Sequence, residues 1–434
     1  MTFPTYPEYK DFGALGSGEV PTHWILGSIK RMGWIRNGKD YKDVESPDGE
    51  YPVIGSGGQF AKATRYLYDG ESVLLGRKGT IDKPLYIHGR FWTVDTMFYT
   101  EVCLGASAKF FYYNALTIPF QFYSTSTALP SMTQGDLLNH PCAIPPVEEQ
   151  TQIARFLDYE TARIDALIEE QQRLIELLKE KRQAVISHAV TKGLDPTVPM
   201  KGSDVEWLGE VPVHWAVAPT SYRYEIQLGR MLNEQRAQGE YLKPYLRVFD
   251  VQWNAINTLD LPLMDFPPEA QRSYRLKIGD LLVNEGGSYV GRSAIWRGEL
   301  DECYYQKALH RLRPRDFNSD TAEFFLYVME MATQRGVFVA GGNQTTIDHL
   351  TAEQLRQYRF AFPPLKEQQQ ISKHVSIETS KISSTARDAE ELIALLQERR
   401  AALISAAVTG KIDVRGWHPA TSTREFPELE KEAV

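Results

Sequence analysis

Pro145-Pro146-Val147-Glu148-Glu149-Gln150-Thr151-Gln152-Ile153 returns later in the chain as Pro363-Pro364-Leu365-Lys366-Glu367-Gln368-Gln369-Gln370-Ile371, an offset of 363 − 145 = 218 residues. The same offset carries Leu178-Lys179-Glu180-Lys181-Arg182 onto Leu396-Gln397-Glu398-Arg399-Arg400. It also carries Ile186-Ser187-His188-Ala189-Val190-Thr191 onto Ile404-Ser405-Ala406-Ala407-Val408-Thr409, and no gap is needed between Pro145 and Asp195. So long an ungapped internal match marks a duplicated structural unit. Each copy reads as one long helix. Pro-Pro halts the preceding structure, and no Gly or Pro then interrupts the chain from Glu148 to Val190. Apolar residues fall on a seven-residue period at Leu157, Ile164, Leu178 and Val185, with Gln171 in the polar slot. The copy repeats the period at Val375, Ile382, Ala389, Leu396 and Leu403. Companions at Leu167, Leu174, Ile175, Leu392 and Ile393 are expected to complete the seam, and Gly193 and Gly410 to end the helices. A helix with one apolar stripe needs a partner, and the other copy is the obvious one. Since each helix leads out of its own preceding unit, the pair is expected to run antiparallel.

A second repeat has another offset. Gly18-Glu19-Val20-Pro21-Thr22-His23-Trp24 returns as Gly209-Glu210-Val211-Pro212-Val213-His214-Trp215, shifted by 209 − 18 = 191. The organisation is therefore variable unit (1–144), helical segment (145–198), variable unit (199–362), helical segment (363–413) and tail (414–434). Between their anchors the variable units share no obvious alignment. Two like frames with unlike contents imply one task performed twice on different targets. The expected fold is α+β (mixed): two α/β domains separated by two long antiparallel helices forming a coiled coil, with a pseudo-two-fold internal repeat. The tail after Asp413 is expected to lie close to the N-terminal frame.

The chain has 434 residues, 42% of them hydrophobic and 24% charged. These are the proportions of a soluble globular chain with several cores. No run approaches the roughly 20 apolar residues that span a bilayer, and the start lacks the pattern of a secretory signal. Cys103, Cys142 and Cys303 lie far apart and form no CxxC pair, which fits a reducing cytoplasm and argues against a disulfide framework or a cysteine zinc site. The formal net charge is −8, so the chain does not coat nucleic acid by bulk charge. Local contacts to DNA remain open.

Several loops carry polar residues of the right type. Gly76-Arg77-Lys78-Gly79-Thr80 sets two cations and a hydroxyl on a glycine-flanked turn, expected between two strands. Arg can take guanine edges bidentately and Lys can take phosphate, so Arg77, Lys78 and Thr80 are candidate DNA contacts. Ser56 and Gly57 lie in a second loop, Tyr51-Pro52-Val53-Ile54-Gly55-Ser56-Gly57-Gly58. In the second variable unit the candidates are Asn284, Ser288 and Arg292 around Gly286-Gly287-Ser288-Tyr289-Val290-Gly291-Arg292-Ser293, and Asn343, Gln344 and Thr345, whose amides suit adenine. Gly286–Ser293 nearly matches a phosphate loop, but Arg292 stands where lysine belongs and Ala294-Ile295-Trp296 reads as strand rather than helix. A solvated hairpin tip is the plain alternative for each loop. No catalytic motif assembles. His23–Trp24 and His214–Trp215 read as packing anchors, and Glu148-Glu149 as dipole-favouring acids at a helix start.

The duplicated Pro-Pro-x-x-Glu-Gln-x-x-Ile, the Gly-Glu-Val-Pro-x-His-Trp frame and the shared helix ends resemble the specificity subunits of type I restriction–modification systems. Tyr51–Ile54, Gly76–Gly79, Trp92-Thr93-Val94-Asp95-Thr96 and Gln306-Lys307-Ala308-Leu309-His310-Arg311-Leu312 look like segments of that family's target-recognition domains. The resemblance implies a non-enzymatic cytoplasmic chain whose two recognition domains each read half of a bipartite double-stranded DNA target. It implies that the helices act as a ruler and as a platform for two methyltransferase (modification) subunits, with restriction/translocase subunits joining them. The chain itself would bind no cofactor and no metal: S-adenosylmethionine would sit on the modification subunit, ATP and Mg on the restriction subunit. Two rivals stay open on the residues alone, a coiled-coil adaptor that binds proteins and a nucleotide-dependent enzyme built on Gly286–Ser293.

Overall fold

The computed structural model describes residues 3–12, 18–124, 130–231, 237–338 and 349–419. Packing divides the chain into two units: unit 1 holds 1–172 and 390–434, unit 2 holds 173–389. Four helices matter here: α1 (Ala108–Ala115), α2 (Val147–Lys192), α3 (Ala322–Gln334) and α4 (Leu365–Val408). The two long ones, α2 and α4, have 46 and 44 residues, or about 69 and 66 Å at the usual rise. Each follows its Pro-Pro and stops at a glycine in the left-handed region, Gly193 (φ 77°) and Gly410 (φ 73°). The unit boundary falls inside both helices, so each unit owns one half of each.

Within each unit the two halves pair start to end. In unit 1, Ile153, Phe156 and Leu157 from the start of α2 share a core with Ile404, Ala407 and Val408 from the end of α4. In unit 2, Ile186, Ala189 and Val190 from the end of α2 share a core with Ile371 and Val375 from the start of α4. The pairing is thus antiparallel. Leu157, Ile164, Val375, Ile382 and Leu396 are buried, while Leu178, Val185 and Leu403 are half-buried. Three expected companions face solvent instead: Leu167 is 45% exposed, Leu174 36% and Leu392 41%. The apolar stripe is narrower than the sequence pattern implied, because Ile175 takes the inner position beside Leu174.

The head of unit 1 is a six-stranded mixed sheet. Its strands are β1 (Gly33–Asn37), β2 (Tyr51–Gly55), β3 (Gly58–Ala63), β4 (Tyr68–Gly76), β5 (Leu85–Thr93) and β6 (Met97–Val102), in the order β1-β6-β4-β5-β2-β3 with β2 and β5 parallel. Val73 and Leu75 join the core shared with α1 and the long helices, whereas Leu74 joins a second core on the opposite face. That two-sided burial explains the unbroken apolar run. The head of unit 2 has an antiparallel sheet of β7 (Tyr224–Leu228), β8 (Leu281–Asn284), β9 (Ser293–Ile295) and β10 (Leu309–Pro314), in the order β7-β10-β8-β9. Its run Leu281-Leu282-Val283 is split between two cores in the same way. A further three-stranded sheet, Leu263–Asp265, Leu242–Leu246 and Tyr304–Tyr305, belongs to unit 2. The two heads therefore differ in strand number and pairing.

The frames under the heads are alike. Glu19–Pro21 pairs antiparallel with Tyr9–Asp11, and Glu210–Pro212 with Met200–Gly202. Ile25–Ser28 then pairs with Pro141–Ile144, and Ala216–Pro219 with Arg359–Phe362, so each head is closed at its base by the strand that enters the Pro-Pro. Trp24 and Trp215 are fully buried. In unit 1 the segment after α4 returns to the frame as expected: Asp413 N donates to Pro4 O at 2.8 Å, and Trp417 packs edge-on against Phe156 at 5.2 Å.

Candidate nucleic-acid interface

In unit 1 the two predicted loops sit on either side of one turn. Gly55–Gly58 joins β2 to β3, with Ser56 half-buried and Gly57 exposed. The Arg77–Thr80 loop leaves β4. Gly76 must be glycine there, because a Cβ would meet Thr80 O at 2.3 Å. Arg77 N and Lys78 N both donate to Thr96 O (2.9 and 3.2 Å), and Arg77 Nη1 donates to Asp95 O at 3.2 Å. The far side of Val94–Thr96 lines a recess of about 430 Å³ with Tyr41, Phe60 and Gly55–Gly58. Ser56, Gly57, Arg77 and Lys78 are thereby gathered around Asp95–Thr96, with Thr80 exposed on the same loop. The second strand expected at Ile81 starts only at Leu85, since the loop pairs elsewhere: Met132 N donates to Arg77 O at 3.0 Å.

Charge is locally organised. Arg36 is paired with Glu101 and Arg90 with Asp69. Lys78 is exposed and in no ion pair among the described residues. An overall acidic chain thus leaves a cation free at a glycine-flanked loop, beside an exposed aromatic, Phe60, that is 56% exposed. Tyr41, Phe60, Asp95 and Thr96 were not among the residues picked from sequence. The segment Trp92–Thr96 had already been noted as a family segment, which was the signal available for the last two.

In unit 2 one prediction is corrected. Asn284 ends β8 fully buried, and its Nδ2 donates to the carbonyls of Val248 (3.2 Å) and Val251 (3.1 Å). It props a neighbouring turn and presents no edge to a base. Ser288 is exposed in the short turn Gly287–Tyr289. Arg292 is half-buried, donating through Nη1 to Gln252 Oε1 at 2.5 Å, with its guanidinium 4.7 Å from the Tyr289 ring centre. The strand β9 follows directly, so the helix that a phosphate loop requires is replaced by a strand. Asn343, Gln344 and Thr345 lie outside the described residues. His349, just beyond them, bridges to Gly286 beside the same turn.

Buried ionisable groups serve the fold. Burial pushes the Cys142 and Cys303 thiols up to about 12, and lowers the His310 imidazole to about 4. His310 Nε2 lies 2.6 Å from Leu350 O. Among the described residues no cluster of three His, Cys, Asp or Glu is placed to hold a metal ion.

The helix starts carry the groups that sequence reading underrated. Glu149, only 6% exposed, accepts from Tyr6 Oη (2.5 Å) and Trp24 Nε1 (3.0 Å), and its other oxygen lies 2.8 Å from His23 Nε2. Glu367 does the same with Trp215 Nε1 (3.1 Å) and His214 Nε2 (2.7 Å). The following glutamines face the head: Ser107 N, at the N-cap of α1, donates to Gln150 Oε1 (2.8 Å), and Thr321 N, at the N-cap of α3, to Gln368 Oε1 (3.0 Å). The repeated Glu-Gln therefore joins helix, frame and head in both units.

A chain that twice carries a sheet-bearing head, bound at its base to the start of a long helix, is a duplicated recognition scaffold rather than a fold built around one central cleft. It belongs to the type I restriction–modification DNA specificity family: the model of the type I restriction modification DNA specificity domain matches twice, over residues 21–178 and 224–392, one match for each repeat. The chain is 24% identical over 180 residues to the EcoDI specificity subunit of Escherichia coli, covering 41% of this chain and 40% of that one. The MjaX relative from Methanocaldococcus jannaschii is likewise spanned over 40% of its length. Against the MjaVIII specificity subunit of the same archaeon the alignment spans 96% of this chain and 98% of that one, at 22% identity. The fold is similar to a chain from a solved study of assembly and conformational transition of a type I R-M system (TM-score 0.70, 15% identity, 91% of this chain and 100% of that one). It is also similar to the HsdS subunit of Thermoanaerobacter tengcongensis (TM-score 0.56, 15% identity, 92% and 99%).

Proposed function

We propose that this chain is the DNA sequence-specificity subunit of a type I restriction–modification complex. The recognition domains, 1–144 and 199–362, each read one half of a bipartite, asymmetric double-stranded target. The helical segments 145–198 and 363–413 act as the spacer between the readings and as the docking platform for two methyltransferase subunits, which restriction/translocase subunits then join. The chain is a cytoplasmic, non-catalytic component. S-adenosylmethionine belongs to the modification subunits, and ATP and Mg to the restriction subunits. One observation carries the reading: the family match falls twice, on two units whose frames are the same and whose heads are not. Unlike heads on like frames are what an asymmetric two-part target needs. The acidic balance is then no obstacle, because partner subunits complete the grip on the phosphates.

Within unit 1, the Ser56–Gly57 turn, Arg77, Lys78 and Thr80 are the DNA-reading edge, with Asp95 and Thr96 between them. In unit 2 the corresponding edge is the Gly286–Arg292 turn, with Ser288 and Arg292. Replacing Arg77 and Lys78 together by Ala should lower methylation of the target by about ten- to a hundredfold, given that a bidentate base contact is worth about 1–3 kcal/mol and a phosphate contact is lost with it. Methyltransferase co-purification should be unchanged. Full methylation by the double variant would remove this loop from the interface.

A further inference from the structure

We propose that the Glu-Gln pair opening each long helix (Glu149-Gln150 and Glu367-Gln368) is a positioning device: it fixes the rotation of each head on its helix and so determines how strictly the length of the gap between half-sites is read. The proposal rests on the two-part reading above. Three observations carry it. Glu149, Gln150 and Gln368 are buried at 6%, 1% and 0% exposure, and Glu367 is partly covered, so none serves as a DNA ligand. The two side chains pull in different directions, since consecutive helix residues point about 100° apart. The glutamate holds the frame through His23 and Trp24, or His214 and Trp215. The glutamine holds the head through the N-cap of α1 or α3, and its Nε2 also donates to the carbonyl of the proline that precedes the helix, Pro145 O or Pro363 O, at 2.9 Å in both units.

The shared core seats each head on its helix, and two tethers that are not collinear add a restraint on its rotation that a single tether does not. A unit of this size has a radius of about 15 Å. At that lever a swing of about 13° moves a reading loop by about 3.4 Å, one base-pair step. Loosening a tether therefore blurs the gap before it blurs the base readout, because the loops that meet the bases keep their own internal bonds, such as those of Arg77 and Lys78 to Thr96.

The test uses the full complex with its methyltransferase subunits, carrying Gln150→Leu, Gln368→Leu, or the milder His23→Gln and His214→Gln. Those histidines are 41% and 40% exposed and tolerate change without emptying a core. Initial methylation rates are measured on duplexes with both half-sites at the native gap, at one base pair more and one fewer, and on native-gap duplexes with single base changes in either half-site. Expected is a rise of about fivefold in the off-gap to native-gap ratio, the factor that one ordinary hydrogen bond represents, with base discrimination unchanged. An unaltered ratio in variants that still methylate overturns the proposal. So does a rate that falls by one common factor on every duplex, which is what a merely structural role gives. If the leucine variants do not assemble, the histidine variants decide by the same criteria. An unsubstituted complex that methylates no two-part target at any gap overturns the underlying reading, and the proposal with it.

Discussion

The two helix starts carry the same four letters, Pro-Pro-x-x-Glu-Gln, yet distribute their bonds differently. At the start of α2, Glu149 takes Tyr6, His23 and Trp24, while Gln150 bonds one N-cap and one carbonyl. At the start of α4 the glutamate bonds, among the described residues, His214 and Trp215. Gln368 there reaches Thr321 N and Oγ1, Ser319 O, Asp320 Oδ1 and Pro363 O. The cause is local chain supply. In unit 1, residues 3–9 and 413–417 come back to the frame and deliver Tyr6, with Arg415 over its ring at 4.9 Å. In unit 2 the chain runs on through 193–200, no tyrosine occupies that place, and a recess of about 430 Å³ lies beside His214 and Glu367. The lesson is that a repeated motif conserves which groups are tied together, while neighbouring segments set how tightly.

That contrast can be broken by mutation. The largest difference should come from the glutamines: Gln368→Ala is expected to destabilise unit 2 by more than Gln150→Ala destabilises unit 1, by about 1–3 kcal/mol for each further buried group left unpaired. Hydrogen exchange of amides at the start of each long helix separates the two units; equal losses would mean that the bond lists do not translate into stability. Tyr6→Phe removes a single hydrogen bond to Glu149 and should cost unit 1 about 1 kcal/mol, up to 2 because the acceptor is charged. It should leave protection at 365–371 untouched.

The smallest effect is in pH. Hydrogen bonding to Arg415 holds the Asp413 carboxyl below its ordinary value. Its contribution is therefore present above about pH 4 and is lost as pH falls through the depressed folded value. Asp320 goes the other way, because burial raises its carboxyl. Its folded state binds protons more readily than the unfolded chain, so acid does not weaken the α4 start through this group. Lowering the pH from 7 to about 3.5 should thus loosen exchange protection at 413–417 before it does at 319–321. The reverse order would contradict the assignment.

Much of this architecture was legible in the residues. The ungapped match between Pro145 and Asp195 and its copy announces the long helices, the glycines end them, and the Gly-Glu-Val-Pro frame announces two seats for two heads. The return of Asp413 to the N-terminal frame was readable as well. Sheet order was not, because β1 pairs with β6 across sixty residues that carry no register signal of their own. The outer leucines misled for a simpler reason: a heptad marks a stripe but not its width, and Leu167, Leu174 and Leu392 lie at its edge. Asn284 misled by residue type. An amide after Leu281-Leu282-Val283 continues a fully buried strand, and its acceptors, Val248 and Val251, lie more than thirty residues upstream. Arg77 and Lys78 sit on a loop whose turn follows from its flanking glycines, so the placement of this part of the proposed interface on a loop was accessible to reading by turn chemistry alone.

The central claim is that two unlike heads on one duplicated frame read a two-part DNA sequence. Long-read methylome sequencing of a strain that carries this chain with its methyltransferase subunit tests it most directly. The account predicts methylated adenines in a single asymmetric motif of two short half-sites separated by a fixed stretch of unread bases. A contiguous motif, a palindromic pair of identical half-sites, or no methylation dependent on this chain would contradict it.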